Sequence, residues 1–205
     1  MLAIPVLADL ALESEGNIAV VFRLIRAWSL TGQDSLEAAY ARLMTPAIKY
    51  LVTKMAPAFI TEALECLGGN GYVEDLPMAR LYREAPLNAI WEGSGTVVAL
   101  DVRRVLQRER ESSLAVVEAL AKACGALGEA ARSAIEQGFK EGEGRVRLVA
   151  ETLARLAALA ALAEANSGLA EAYATTRLQG GSHATFGTCD LEAFETLLLA
   201  RILPD

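Results

Sequence analysis

Two short segments carry residues whose types and spacing could do chemistry. In "NAIWEGSGT", residues 88–96, one carboxylate, Glu92, stands between an indole, Trp91, and a Gly-Ser-Gly run. A carboxylate beside Trp91 and Ile90 is partly desolvated when that side packs inward. Desolvation raises its pKa toward the range of a general base. Gly93 and Gly95 would let a ligand come close, and Ser94 stands where it can cap a following helix whose free amides favour phosphate. The same residues also read as an exposed acid just ahead of a helix, where the dipole favours it. Upstream, "ECLGGNGY" holds three glycines in four residues, Gly68, Gly69 and Gly71. Such a run can cradle an anion with its amides or simply end a helix in a tight turn. Its spacing is neither that of a P-loop nor that of the dinucleotide fingerprint.

The remaining polar clusters read as structural. "RLYRE", residues 80–84, offers two cations beside Tyr82 and fits a surface charge network. Arg103, Arg104, Arg108 and Arg110 are interleaved with Glu109 and Glu111, the pattern of a solvated helix face. His183 is the one histidine, has no acid or nucleophile near it in sequence, and reads as a loop residue; a His-rich metal cluster is excluded. Cys66, Cys124 and Cys189 are odd in number and scattered, as expected of reduced thiols in a cytoplasmic protein.

The elements that must position these residues are helices. Apolar residues make up 53% of the 205, Ala and Leu dominate, and β-branched runs are few, which predicts an all-α protein. Helical spacing links Val6, Leu10, Ile18, Val21, Phe22, Ile25 and Trp28. Asp34 with Glu37 predicts a capping box opening a second helix. At Thr45-Pro46 that helix is expected to restart or kink. It should stop at the glycines in the manner of a left-handed C-cap. A loop with one or two helical turns is predicted over 73–90, then a helix from Ser94 with Val97, Leu100, Val105 and Leu106 toward one face. Two long Ala-rich helices follow, near 113–139 and 144–176, then a Gly-rich loop and a short last helix from Asp190. The net charge of −7 argues against bulk nucleic-acid binding, and no apolar run approaches the ~20 residues of a membrane span. The opening residues carry helical periodicity and acids rather than a basic-then-apolar signal.

Taken together, "EALECLGGNGYVEDLPMARLYREAPLNAIWEGSGTVVALDVRRVL", residues 62–106, strongly resembles the C-terminal helical domain of the acyl-CoA dehydrogenase family, and within it the alkylation-response branch. Looser similarity reaches upstream through "VLADLALESEG", "FRLIRAW" and "TPAIKYLVTK". The resemblance implies an all-α helix bundle, a four-helix up-down core with extra C-terminal helices. It divides into a bundle core over 1–110 and a helical extension over 111–205 that packs on or completes it. It also implies that Glu92 is the catalytic base, removing the α-proton of an acyl-CoA thioester while the β-hydrogen leaves as hydride to FAD. By the same resemblance Gly68 and Gly69 approach the adenosine-diphosphate end of FAD bound by a neighbouring subunit. Ser94 and Thr96 lie along FAD, and Glu65 stands at a further FAD-contacting position.

Two departures bear on those contacts, because the family commonly has Gln where Glu65 and Thr96 stand. The resemblance further implies a homodimer or homotetramer. The N-terminal helical and middle β-domains of such enzymes are not found here, so the 205 residues alone are expected neither to retain FAD tightly nor to dehydrogenate acyl-CoA. An alternative of another class is an oligomerisation or DNA-associated module. Charge speaks against its DNA version: residues 101–205 hold 12 Lys plus Arg against 15 Asp plus Glu, a net of −3.

Overall fold

The computed structural model describes residues 4–179 and 185–202 and contains helices but no strand among them. The expected all-α bundle is what forms. Its first two helices show how local signals and packing combine. Helix α1 spans Ile4–Leu30, and α2, Ser35–Cys66, begins where the Asp34 carboxylate accepts from Leu36 N at 2.7 Å and Glu37 N at 3.3 Å. Only half of the expected capping box is made. The Glu37 carboxylate instead takes two guanidinium nitrogens of Arg23 at 2.7 and 2.9 Å, tying α1 to α2. Helix α2 also runs unbroken through Pro46 and Pro57, so it does not restart at Thr45-Pro46. Each proline costs about 3 kcal/mol in a helix interior. The fully buried Leu43, Met44 and Leu51 each return about 1.5–3 kcal/mol by leaving water, so packing outweighs the lost bonds.

The centre of the bundle is α8, Val146–Glu164, eleven of whose nineteen residues are buried. A helix apolar nearly all round belongs inside, and α8 packs against α1, α2 and α5, Gly95–Arg108, which also pack on α2. These four long helices share one continuous hydrophobic core, completed by α6, Arg110–Ala123, α7, Gly125–Lys140, and the short α9, Ala170–Ala174. Two uninterrupted tail helices were expected; the structure breaks both. Gly125, at φ 59°, turns the chain between α6 and α7, and Asn166 and Gly168, at φ 51° and 71°, end α8. The first break is set by close packing, because a Cβ at Gly128 would overlap the Ala121 carbonyl oxygen. A π-helical turn, Thr175–Gln179, follows α9, and α10, Glu195–Ile202, closes the described chain. His183 lies outside the described residues.

Three further expectations change. Residues 73–90 hold a full helix rather than isolated turns: α4, Pro77–Asn88, starts with Pro77 in its first turn and lays buried Ala79 and Ala85 against α2. In α1 the large apolar residues Ile18, Phe22, Ile25 and Trp28 are each more than half exposed, while Ala8, Leu12, Val20 and Ala27 face the core. In α5 it is Val98, Ala99, Val102, Val105 and Leu106 that are buried, with Val97 turned outward.

Candidate functional site

Gly68 ends α2 with φ 57° and ψ −140°, a conformation open to glycine and strained for other residues. It is not the left-handed helical cap expected, and a single helical turn, α3, Gly69–Tyr72, follows at once. The three glycines have different reasons. Gly71 is buried, and a Cβ there would overlap the Leu64 carbonyl oxygen, so the fold itself requires it. Gly68 is required by its backbone angle. Gly69 has neither reason: its φ is ordinary and a Cβ would meet nothing within 4 Å. Glu65, Gly68 and Gly69 are all exposed.

The second motif follows α4, whose twelve residues span ~18 Å and so separate the two glycine motifs. Trp91 and Ile90 are more than half exposed and Glu92 is exposed, so the inward packing that would desolvate the carboxylate is not made among the described residues. Glu92 instead adopts φ 53° and Gly93 φ 111°, a turn with two successive positive angles. A non-glycine residue in that region is uncommon and costs of order 1 kcal/mol. Lys49, in the middle of α2, holds the turn: its Nζ donates to the carbonyl oxygens of Trp91 at 2.7 Å and Gly93 at 3.3 Å. Ser94 occupies the N-cap position of α5, but its hydroxyl makes no capping bond, and its carbonyl accepts from Val98 N at 2.9 Å. Thr96 is exposed in the first turn of α5, and Gly95 is buried beneath Lys54 and Arg147.

Sequence reasoning did not single out Lys49. Its signal was present: in "AIKYL" it is the one cation among residues that are all buried. The clusters read as structural behave so. Arg80 pairs with Glu84 at 2.8 Å and Arg83 with Glu74 on the surface. Arg104 pairs with Asp101, and Arg103 donates to the Phe139 carbonyl while its guanidinium lies over that ring. Cys66, Cys124 and Cys189 are free thiols. Burial pushes the Cys66 thiol up, with Glu62 and Glu65 adding to the effect. Among the described residues no helix is long and apolar enough to cross a membrane.

An all-helical bundle that carries these two glycine motifs at the two ends of one helix defines a class of protein. Residues 6–107 match the family described as acyl-CoA dehydrogenase, C-terminal domain, and through them the chain belongs to the acyl-CoA dehydrogenase family. Within that family it is similar to the putative acyl-CoA dehydrogenase AidB of Escherichia coli (strain K12), with 51% identity over 104 residues, which are 51% of this chain and 19% of that protein. It is also similar to acyl-CoA dehydrogenase family member 11 of Caenorhabditis elegans, at 37% identity over 53% of this chain and 18% of that one. The matched segment thus spans about a fifth of these relatives. The fold is that of the crystal structure of C. elegans ACDH-11 in complex with C11-CoA, which covers 91% of this chain and 38% of its own, with a TM-score of 0.66 at 24% identity. The structure titled Bd2924 apo-form shares it over 74% of this chain and 31% of its own, at a TM-score of 0.64 and 24% identity.

Proposed function

We propose that this chain is the C-terminal portion of an FAD-dependent acyl-CoA dehydrogenase-like oxidoreductase, in which Glu92 is the base that removes the α-proton of an acyl-CoA thioester. The observation that carries the reading is the conformation of Glu92. An exposed acid is held at positive φ in a turn that a lysine 43 residues upstream fastens by two hydrogen bonds. A surface acid serving only the dipole of α5 needs neither the strain nor the fastening. A base aimed at one substrate carbon needs a fixed direction, and the turn supplies it. The desolvation that suits a base to proton transfer then comes from what covers Trp91, Ile90 and Glu92 in the whole protein.

FAD, when bound, supplies the hydride acceptor for the β-hydrogen. The residues here fit a role in holding it. Gly69 leaves open a space that none of the described residues occupies, Gly68 keeps that approach clear, and Glu65 flanks it. Ser94 and Thr96 present hydroxyls at the start of α5, one of them free of any capping duty. Contact across subunits fits the exposed Phe22, Ile25 and Trp28, and a homodimer or homotetramer is the expected assembly. The core over 1–110 would carry the site, with 111–205 completing the bundle. Arg103 and Arg104, two of the four arginines in that stripe, are engaged within the chain, which counts against the DNA-associated alternative.

The test is Glu92→Gln in the full-length protein. Flavin reduction by acyl-CoA should be lost while FAD binding is kept. Reduction at the unaltered rate with every substrate the parent accepts would sink the assignment.

A further inference from the structure

Around the start of α5 the chain gathers hydrogen-bond donors and no acceptor. Gly95, the first residue of that helix, is buried, and the point where a Cβ would stand lies 3.4 Å from Lys54 Nζ and 3.5 Å from Arg147 Nη2. The two charged groups are therefore within about 7 Å of each other, close enough to repel. They come from α2 and from the first turn of α8, elements far apart in sequence. Both side chains are exposed, so an ion can reach them. Among the described residues neither has an acid within ion-pairing distance, and the acid one turn beyond Arg147, Glu151, is taken by Arg155 at 3.1 Å. The arrangement also runs against the helix. The unbonded amides at the N-terminus of α5 carry a partial positive charge that repels cations. Lys49, bonded to the Gly93 carbonyl, adds a third cation beside the same helix start.

A buried side chain points the same way. Tyr50 is 8% exposed and lies under Arg147, whose guanidinium carbon is 5.9 Å from the ring centroid, with the phenol hydroxyl beside that guanidinium. Burial holds this hydroxyl above its usual range against the pull of Arg147, so it keeps its proton near neutral pH. A guanidinium only donates, so it cannot take that proton, and no described residue accepts it.

We infer that Lys54, Arg147 and Tyr50 form, with the first amides of α5, a binding site for a dianionic phosphate group. The missing partner is an acceptor that carries enough charge to offset two cations and enough oxygens to serve an ammonium, a guanidinium, a phenol and a helix start at once. A phosphate monoester or free phosphate meets both conditions, whereas a carboxylate has one charge and two oxygens. Arginine offers phosphate a planar pair of donors, lysine a point charge, and a helix N-terminus its amides. Lys54 belongs to the bundle core and Arg147 to the helical extension, so a bound phosphate would join the two. The site uses neither Glu92 nor the hydroxyls of Ser94 and Thr96.

The site can be tested on the 205-residue chain by following the backbone amide resonances of Gly95 and Thr96 during titration at constant ionic strength. Inorganic phosphate should shift both saturably, and acetate should bind at least tenfold more weakly. Lys54→Gln and Arg147→Gln should each weaken phosphate at least tenfold, and Tyr50→Phe, which keeps the packing and removes the donor, about threefold. Lys122→Gln, at an exposed cation elsewhere, should leave it unchanged. Adenosine monophosphate and adenosine separate the sources of the group. Tighter binding of the monophosphate than of phosphate assigns the site to a nucleotide's phosphate, and equal binding assigns it to free phosphate. The proposal is overturned if phosphate does not saturate, if acetate binds as tightly, or if adenosine binds as well as its monophosphate. It is also overturned if Lys54→Gln and Arg147→Gln change binding no more than Lys122→Gln does. None of these outcomes depends on whether Glu92 is a base.

Discussion

Lys49 Nζ lies 2.7 Å from the Trp91 carbonyl oxygen, joining the middle of α2 to the turn that carries Glu92. The bond, with its companion to Gly93, makes the direction of the Glu92 backbone a property of the bundle rather than of the local sequence.

Lys49→Met should therefore loosen the turn more than the fold. We expect a loss of about 1 kcal/mol in global stability, since the charge-assisted bonds are partly solvated. Amide exchange over 91–96 should accelerate severalfold, with little change in the α2 and α8 cores. Hydrogen exchange read by mass spectrometry checks this, and uniform acceleration across the chain would contradict it.

The glycines of "GGNGY" should separate by substitution. Gly71→Ala forces a Cβ into the Leu64 carbonyl and should cost about 2–3 kcal/mol, visible in the urea midpoint. Gly69→Ala meets no atom and should be neutral or stabilising by about 0.5–1 kcal/mol. On the proposed reading, which gives that space to the cofactor, the same Gly69→Ala should weaken FAD binding in the full-length protein. Equal FAD affinity would remove Gly69 from the site.

Buried charges on α1 and the π turn predict a large stability effect far from both motifs. Arg177→Met strands two buried carboxylates, Asp9 and Glu13, and should cost about 3–5 kcal/mol. Adding Asp9→Asn and Glu13→Gln should recover part of that loss, because no charge is then left unpaired. A triple variant no more stable than Arg177→Met would show that the cost is packing alone.

Tyr40 links structure to pH. Burial outweighs the nearby Arg23 and pushes its hydroxyl up to about 12. The fold therefore favours the neutral phenol. That stabilisation is complete below the unfolded value near 10 and is lost as pH rises through the folded value. Between pH 10 and 12 the loss should approach ~1.4 kcal/mol per pH unit. Tyr40 Oη has no hydrogen-bond partner, while Arg23 stacks over the ring at 4.1 Å. Tyr40→Phe should consequently be neutral or slightly stabilising at pH 7 and flatten the alkaline decline, as denaturation at pH 8 and pH 11 would show.

Much of this was legible in the residues. The all-α class follows from composition and period, the start of α2 from Asp34, and the family from two glycine motifs and the segment that joins them. Those signals are local, or are patterns of residue type along the chain. What sequence could not decide depends on what lies across the helix interfaces. Pro46 and Pro57 signal a break, yet α2 is continuous because the burial of Leu43, Met44 and Leu51 offsets the lost bonds. Period 3.6 marks α1 as a helix but does not say which stripe is core, and the small residues went inward. Nothing local ties Lys49 to Trp91, or Asp9 to Arg177, 168 residues apart. Residue type named Glu92 as a carboxylate that could take a proton. Only the packing of α2 against the turn gave it a fixed direction, because a backbone at positive φ persists where distant hydrogen bonds hold it.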